Sequence, residues 1–134
     1  MGKNNYTKEA EHIGKLIVRS VENNLKLEYT VDYRGYAISI RNVVPNEDVY
    51  IWIRLNWRQD KCICNILTAS FAPELQRKGY FTKIINTLKR CKYIQNICIQ
   101  SVCSNEMHNW CKKHKFKQVV HPLVTVSDYH WKDI

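Results

Sequence analysis

Residues 70–85 read SFAPELQRKGYFTKII, and this stretch decides how the rest of the chain is interpreted. It joins the end of an apolar strand to a basic loop and then to an amphipathic helix that begins at Gly79. The N–H groups in the first turn of a helix lack partners within it, and the helix dipole adds partial positive charge there. Glycine lets an anion approach the backbone, and Arg77 and Lys78 add charge beside it. The stretch predicts an anion-binding loop, and an ordinary strand–turn–helix is the alternative.

The chain before this loop is predicted to form one helix and four strands. Apolar residues recur at helical spacing from Thr7 to about Asn23, and Thr7 is a candidate cap for this helix. Alternating apolar and polar residues then predict four strands separated by turn residues. These strands span residues 25–34, 36–44, 49–57 and 62–71. Their short connections favour an antiparallel meander.

The chain after the loop is predicted to alternate helices and strands. A helix runs from Gly79 to about Lys92, and Ser104 is expected to cap a second helix. That second helix spans residues 105–114, and the strands span residues 96–102, 116–120 and 124–131. The resulting order is α-β-β-β-β-α-β-α-β-β. It predicts one α/β (α+β) domain over residues 1–134, with a mixed, mostly antiparallel sheet flanked by helices.

Length and composition exclude several classes of protein. The chain has 134 residues, of which 45% are hydrophobic and 25% charged, so it is expected to be globular and not disordered. No stretch approaches the roughly 18 apolar residues that a membrane helix needs. The first residues show no apolar segment typical of a signal peptide. A cytoplasmic location without a membrane partner is therefore expected, in the host cytoplasm if the chain is viral.

The charge balance favours anionic partners. Lys and Arg number 21 against 12 Asp and Glu, which gives a net charge of +9. Nucleic acid, a polyphosphate cofactor and an acidic protein surface all fit this excess. The alternative is compositional, because usage rich in Lys, Asn and Ile is also typical of AT-rich genomes such as those of many bacteriophages.

The cysteine pattern supports neither a disulfide framework nor a structural metal. The six cysteines stand at positions 62, 64, 91, 98, 103 and 111, with no secretion signal and no paired Cys-x-x-Cys units. His108, Cys111 and His114 share one helix face, and a half-buried helix is the preferred interpretation of that face. No metal is therefore predicted.

The loop resembles the signature of the GNAT superfamily of N-acetyltransferases. That signature has Arg or Gln, two residues, Gly, one residue and then Gly or Ala, just after a strand and a Pro-Glu step. The matching residues are Pro73, Glu74, Gln76, Lys78, Gly79, Thr82, Ile84 and Ile85. Phe81 stands where a small residue is usual, and its ring either narrows the pyrophosphate site or points into the core.

A second stretch is similar to the same family. Its members follow the next strand with an Asn-containing helix and a Glu-Lys-x-Gly-Phe pattern. Here Asn105 is followed by Lys113 and Phe116 at the matching places, while Lys115 replaces the glycine. Cys111 stands where the family often has a tyrosine that acts as general acid. The two motifs together cover about residues 62–120.

This resemblance implies a cofactor, acetyl-CoA or another acyl-CoA, and transfer of its acyl group to a primary amine. It implies pairing of the pantetheine arm with the backbone of Ala69 and Phe71, where two strands splay apart. It implies that backbone amides from Gln76 to Phe81 hold the pyrophosphate, with Thr82 adding its hydroxyl and Asn105 lying near the pantetheine. The amides in question belong to Gln76, Arg77, Lys78, Gly79, Tyr80 and Phe81.

The catalytic groups are less evident from the sequence. Cys111 is a candidate general acid for the departing thiolate, since a thiol has an ordinary pKa near 8.5. The preferred alternative is a small core residue. Glu47, Asp48 and His121 fall in predicted loops and give no clear general base, and an acyl-cysteine route through Cys103 has no support.

A second hypothesis keeps the fold without the catalysis. Five aromatic residues lie among four arginines in the predicted meander, an arrangement that would suit stacking of bases and contact with phosphates. They are Tyr33, Tyr36, Tyr50, Trp52, Trp57, Arg34, Arg41, Arg54 and Arg58. Such a face would make the chain a binding module for nucleic acid or a host protein, although aromatics on a meander are more often core residues and cross-strand pairs. The last strand, which ends at Trp131, is a candidate edge for a homodimer.

Overall fold

The computed structural model describes residues 4–43, 49–102, 104–120 and 127–132. The predicted order of helices and strands is confirmed. The helices are α1 (Thr7–Ser20), α2 (Tyr80–Lys89) and α3 (Asn105–Lys113). The strands are β1 (Leu27–Asp32), β2 (Ala37–Asn42), β3 (Val49–Arg58), β4 (Lys61–Phe71), β5 (Ile94–Val102), β6 (Lys117–Val120) and β7 (Ser127–Trp131). Short 3-10 turns span Tyr33–Gly35 and Pro73–Leu75.

Local side-chain chemistry sets several of these boundaries. The expected capping of α1 by Thr7 is wrong, because Tyr6 is the N-cap residue and no side chain caps this end of the helix. The backbone N–H of Thr7 itself donates to Asn5 Oδ1 at 2.9 Å. β1 ends two residues earlier than predicted because Tyr33 and Arg34 both adopt positive φ, 53° and 58°. Ser104 caps α3 as predicted, and its hydroxyl accepts a hydrogen bond from the Met107 N–H at 3.1 Å.

The seven strands form one sheet in the order β1-β2-β3-β4-β5-β7-β6. Every neighbouring pair is antiparallel except β4 and β5, which confirms the mixed, mostly antiparallel sheet. The dimer-edge hypothesis for the last strand is wrong. Tyr129 in β7 pairs with Ile99 of β5 on one side and with Gln118 of β6 on the other. A strand hydrogen-bonded on both sides offers no free edge to a second chain.

The hydrophobic core lies on one face of the sheet. Along β3 the alternate residues Val49, Ile51, Ile53 and Leu55 are buried in this core. The residues between them are half-buried or exposed. All three helices contribute to the same core, through Ala10, Ile13, Ile17, Ile84, Ile85, Leu88 and Cys111. The face that carries Trp52 and Arg54 therefore points away from the core.

No helix in the described part of the chain is long and apolar enough to cross a membrane. Cys62, Cys64, Cys91, Cys98 and Cys111 are buried free thiols. Cys62 and Cys64 lie on the core face of β4, as the alternation of that strand predicts. The sixth cysteine, Cys103, lies outside the described residues.

Candidate functional site

β4 and β5 separate part-way along the sheet. Their parallel pairing runs from Cys62 to Ile66 on β4 and reaches Ile99 on β5. Beyond this point β4 continues to Phe71 but pairs only with β3 among the described strands. Leu67 is the extra residue of a β-bulge, since Ile53 pairs with Ile66 and Trp52 pairs with Thr68. A bulge bends its strand, and here it coincides with the fork between β4 and β5.

The N-terminus of α2 faces the same region. Gly79 is the N-cap residue, with φ of +80°, and a Cβ built at this glycine would meet no atom within 4 Å. Having no side chain, Gly79 leaves the N–H groups of the first turn of α2 uncapped. Arg77 also has positive φ, 62°. Successive N–H groups around left-handed residues form concave anion sites in other proteins. The loop therefore has the local geometry that the sequence predicts for an anion site.

A groove of about 570 Å³ connects these two features. This volume is typical of a site for a small-molecule ligand. It runs between the free part of β4, the loop before α2 and one face of α3. Its lining residues are Ala69, Phe71, Leu75, Gln76, Arg77, Gly79, Tyr80, Phe81, Thr82, Ser104, Glu106, Met107, Asn109, Trp110 and Lys113.

An aromatic cluster forms one wall of this groove. The ring centroid of Phe81 lies 4.8 Å from that of Trp110 and 6.3 Å from that of Phe71. Phe81 is half-buried, and its ring packs against the core and also lines the groove. The indole Nε1 of Trp110 donates to the Thr82 hydroxyl at 3.0 Å. This hydrogen bond links α3 to the first turn of α2.

Two polar contacts hold the loop before α2. The side-chain amide of Gln76 donates to the Phe71 carbonyl oxygen at 2.9 Å, which fixes the loop against the end of β4. The guanidinium of Arg77 pairs with the Glu106 carboxylate at 2.7 Å, and these side chains are 81% and 67% exposed. An ion pair this exposed contributes little to stability. Arg77 can therefore exchange Glu106 for another anion at low cost.

Most of the residues predicted for the cofactor line the groove. They are Ala69, Phe71, Gln76, Arg77, Gly79, Tyr80, Phe81 and Thr82. Lys78 and Asn105 are exposed and stand next to lining residues, but they do not line the groove themselves.

Cys111 lies in the core and not in the groove. Its side chain is fully buried, and burial raises the pKa of its thiol to about 12. A general acid must contact the group that it protonates, so this position favours the core interpretation of Cys111. The other candidates for proton transfer or acyl transfer, Glu47, Asp48, His121 and Cys103, lie outside the described residues.

The sequence patterns indicated Asn105 and Cys111 of α3 as site residues but missed the α3 residues that line the groove. Glu106, Asn109, Trp110 and Lys113 follow one another at steps of three, one and three residues, so they share one helix face. This spacing was a usable signal. The spacing alone does not show that this helix face lines a groove, because the position of α3 opposite α2 is set by the pairing of strands that are distant in the sequence.

His108 on α3 and His114 at the C-cap of this helix each contact an aromatic residue. His108 Nδ1 lies 2.7 Å from the hydroxyl of the buried Tyr129. The His114 ring packs on Trp110 with 4.3 Å between centroids. Desolvation, together with the charges of Lys89 and Lys113, lowers the pKa of His114.

The aromatic residues and arginines predicted to share one face of the meander lie on different faces of the sheet. Arg41 lies over the Tyr50 ring at 4.9 Å, and Arg54 lies near the Trp52 ring at 5.7 Å, all on the face that points away from the core. Trp57 does not belong to this face. It stacks on Tyr6 with 4.4 Å between centroids, and its indole N–H donates to the Gly35 carbonyl. Trp57 lies on the core face of the sheet because it continues the alternation of core-facing residues along β3.

Comparisons with known proteins identify the fold. No family model matches the sequence, and the comparison with curated proteins finds no match. Solved structures of acetyltransferases resemble the chain along nearly its whole length.

The first is an acetyltransferase from Thermus thermophilus, with 9% identity, a TM-score of 0.51 and coverage of 93% of this chain and 87% of that one. The second, assigned to the GNAT acetyltransferase family, is from Desulfovibrio desulfuricans, with 10% identity, a TM-score of 0.53 and coverage of 95% and 94%. The third is NAA60 of Arabidopsis thaliana in complex with acetyl-CoA, with 10% identity, a TM-score of 0.50 and coverage of 96% and 95%. The chain has the fold of the GNAT N-acetyltransferases.

Proposed function

We propose that the protein is an acyl-CoA-dependent N-acyltransferase that uses acetyl-CoA or a related acyl-CoA. The observation that carries this proposal is a coincidence of two features in one groove. The uncapped N-terminus of α2 at Gly79 and the part of β4 that has left β5 both face it. An elongated anionic ligand with an amide-containing arm requires N–H donors for its phosphates and an unpaired strand edge for its amides.

The residues of the groove fit such a ligand. The backbone N–H groups from Gln76 to Phe81, and the Thr82 hydroxyl, would hold the pyrophosphate. The backbone of Ala69 and Phe71 would pair with the pantetheine arm. Arg77 and Lys113 line the groove and would offset negative charge. Lys78 and Asn105 lie beside it, and we expect them to act at its rim.

Acyl-CoA would supply a thioester whose carbonyl carbon is open to attack by an amine. The chain's own part in the reaction is to position the reactants and to stabilise charge. Backbone N–H groups on the free edge of β4 are suited to stabilise developing charge on an oxyanion. Cys111 is buried away from the groove, so we assign the proton transfers to solvent.

The acceptor is proposed to carry negative charge. The net charge of +9 favours an anionic molecule such as a nucleic acid, a nucleotide or an acidic protein surface. If the acceptor is a nucleic acid, transfer should weaken steeply as salt rises, because counterion release drives such binding. Transfer that is insensitive to salt would exclude this class of acceptor and leave the acyltransferase proposal intact.

A second candidate function has support from the face that points away from the core. The pairs Arg41–Tyr50 and Arg54–Trp52 place guanidinium groups over aromatic rings there. This arrangement suits a binding module for single-stranded nucleic acid. An electrophoretic mobility shift at low salt tests it, with Arg41→Gln and Arg54→Gln as variants and Arg19→Gln on α1 as the matched control. Absence of a shift at low salt would end this candidate.

The enzyme proposal is tested by release of the CoA thiol. The protein is incubated with acetyl-CoA and separate panels of amines, polyamines, acidic peptides and oligonucleotides. We expect thiol release that depends on one acceptor class and is lost in Gly79→Trp. Hydrolysis of acetyl-CoA without an acceptor would contradict acyl transfer. Thiol release that is the same in Gly79→Trp as in the wild type would show that the reaction does not take place in this groove.

A further inference from the structure

Three side chains with metal-binding atoms converge on β5 and β7, on the sheet face that points away from the core. They are the thiol of Cys98, the carboxylate of Asp128 and the imidazole of His130. One ligand atom from each residue lies within 4.8 Å of those of the other two. Cys98 is 3% exposed, while Asp128 and His130 are half-buried. Among the described residues this is the one group of three such side chains, and the sequence alone did not indicate it.

The strand register explains how the three residues meet. Cys98 and His130 are direct cross-strand partners, so their side chains lie side by side on one face. Asp128 shares that face because it precedes His130 by two residues. The β5–β7 register shifts between Ile99 and Val102, and Ser101 within this shift has φ of +57°. The bulge turns the Ser101 N–H to the Asp128 carboxylate, at 2.9 Å.

Neighbouring groups orient the three side chains, as the surroundings of metal ligands commonly do. The Ser101 N–H holds one oxygen of Asp128. The Gln100 side chain hydrogen-bonds Cys98 and also donates to Asn65 Oδ1 at 3.4 Å. Asn65 itself is buried and donates to the Ile63 carbonyl oxygen at 3.3 Å. The buried polar residues therefore form a connected network around the Cys98 sulfur.

The Cys98 sulfur and the Asp128 carboxylate lie close together, and both can bind a cation. A divalent cation between the two groups would neutralise a thiolate and a carboxylate together, and this balance suits a partly buried site.

We propose that Cys98, Asp128 and His130 form a zinc-binding site that joins β7 to β5. The combination of one thiolate, one imidazole and one carboxylate is typical of Zn²⁺, which accepts sulfur, nitrogen and oxygen in a tetrahedral arrangement. The ion replaces the proton of the Cys98 thiol, which is released to solvent. Three protein ligands occupy three of the four coordination positions of the ion. The fourth position is accessible to water, because Asp128 and His130 are only half-buried.

The site is separate from the proposed acyl-CoA groove. None of its three residues lines that groove. It lies on the opposite face of the sheet, next to Ile99, which is the last residue of β5 to pair with β4. Bound zinc would thus fix β5 against β7 at the fork. The proposal does not depend on acyl transfer, and its test requires no activity.

The test uses the untagged 134-residue chain, freed of metal under reducing conditions and titrated with Zn²⁺ against a chromogenic chelator. Co²⁺ is then used as a spectroscopic substitute. We expect one Zn²⁺ per chain and, with Co²⁺, a thiolate-to-cobalt charge-transfer band with the visible absorption of a tetrahedral ion. We also expect Zn²⁺ to raise the Tm of the wild-type protein.

Variants locate the ion. Cys98→Ser should abolish the charge-transfer band, and His130→Gln should weaken Zn²⁺ binding by more than the roughly 10- to 100-fold typical of losing a supporting residue. The matched control is His12→Gln, on the exposed side of α1, which should bind zinc as the wild type does. Circular dichroism of the metal-free variants checks that each is folded. Failure of the wild type to bind stoichiometric zinc would overturn the proposal, as would a band that survives in folded Cys98→Ser.

Discussion

The indole Nε1 of Trp110 donates a hydrogen bond of 3.0 Å to the hydroxyl of Thr82, and both residues line the groove. It joins α3 to the first turn of α2, whose N–H groups are proposed to hold the cofactor phosphates. The Thr82 hydroxyl accepts from Trp110 and keeps its own hydrogen for a phosphate oxygen. A phosphate oxygen in the groove could therefore accept from Thr82 while the contact between α2 and α3 stays in place.

The first prediction concerns this hydrogen bond. Trp110→Phe keeps an aromatic ring against Phe81 but removes the N–H donor, and Thr82→Val removes the acceptor. Each change should lower the free energy of unfolding, and the two should be coupled by about 0.5–1.5 kcal/mol, the typical net value of one hydrogen bond. Urea denaturation of both single variants and the double variant measures this coupling. Additive effects would show that the bond contributes nothing in solution.

The second prediction separates the backbone role of Gly79 from the space beside it. Gly79→Ala should lower the free energy of unfolding by about 1–2 kcal/mol, because alanine is strained at positive φ. Its Cβ meets nothing, so no steric loss is expected. Gly79→Asn should be close to wild type in thermal denaturation, since Asn tolerates this backbone region and caps helices well. Equal losses in both variants would contradict the backbone explanation.

The third prediction concerns Glu106, which competes with an anionic ligand for Arg77. Glu106→Gln should strengthen CoA binding roughly two- to fivefold, a range set by the small energy of exposed ion pairs. Its thermal stability should change little, since the pair is largely exposed. Calorimetric titration at low salt measures the effect, with Glu28→Gln on β1 as the control for net charge. An equal increase in CoA affinity in both variants would show that the effect comes from the net charge of the protein and not from the release of Arg77.

The fourth prediction tests the position of Cys111 in the core. Cys111→Ala should lower the free energy of unfolding by about 1–2 kcal/mol, a common value for a buried substitution. Cys111→Ser should cost more, because it buries a hydroxyl among apolar groups. Thiol release at saturating acetyl-CoA should persist in the alanine variant. A folded alanine variant that binds acetyl-CoA but releases no thiol would restore Cys111 as the general acid.

The fifth prediction is a pH dependence that arises at His114. Desolvation, Lys89 and Lys113 lower the pKa of His114 in the folded protein from the ordinary value of 6.5. Below pH 6.5 the His114 side chain is protonated more readily in the unfolded chain than in the folded protein. The free energy of unfolding should therefore decrease as the pH is lowered below 6.5. His114→Asn should lose less stability on acidification than the wild type. Urea denaturation over a pH series makes the comparison, and parallel curves would contradict it.

Local patterns in the sequence predicted the elements but only part of their pairing. The alternation along β3 and the helical stripe of α2 are properties of neighbouring residues, and both appear in the structure as expected. Trp57 illustrates a signal that was present but misread. It continues the series Val49, Ile51, Ile53 and Leu55, so the alternation alone places it on the core face.

Other features depend on contacts between distant segments. The insertion of β7 between β5 and β6 is set by pairing that no local spacing reveals. The cluster of Cys98, Asp128 and His130 follows from that same pairing. The bulge at Leu67 left a trace, because the apolar alternation through Cys62, Cys64 and Ile66 resumes one position late at Ala69 and Phe71. That shift marks where β4 leaves β5.

Calorimetric titration of acetyl-CoA into the wild-type protein and into Gly79→Asn tests the central proposal most directly. Asn should keep the fold while its side chain enters the space in front of α2, so any loss of binding is local. We expect one site per chain with micromolar affinity in the wild type and at least tenfold weaker binding in the variant, about 1.4 kcal/mol. Absence of binding to the wild type, or equal affinity in both proteins, would contradict the proposal that this groove is the acyl-CoA site.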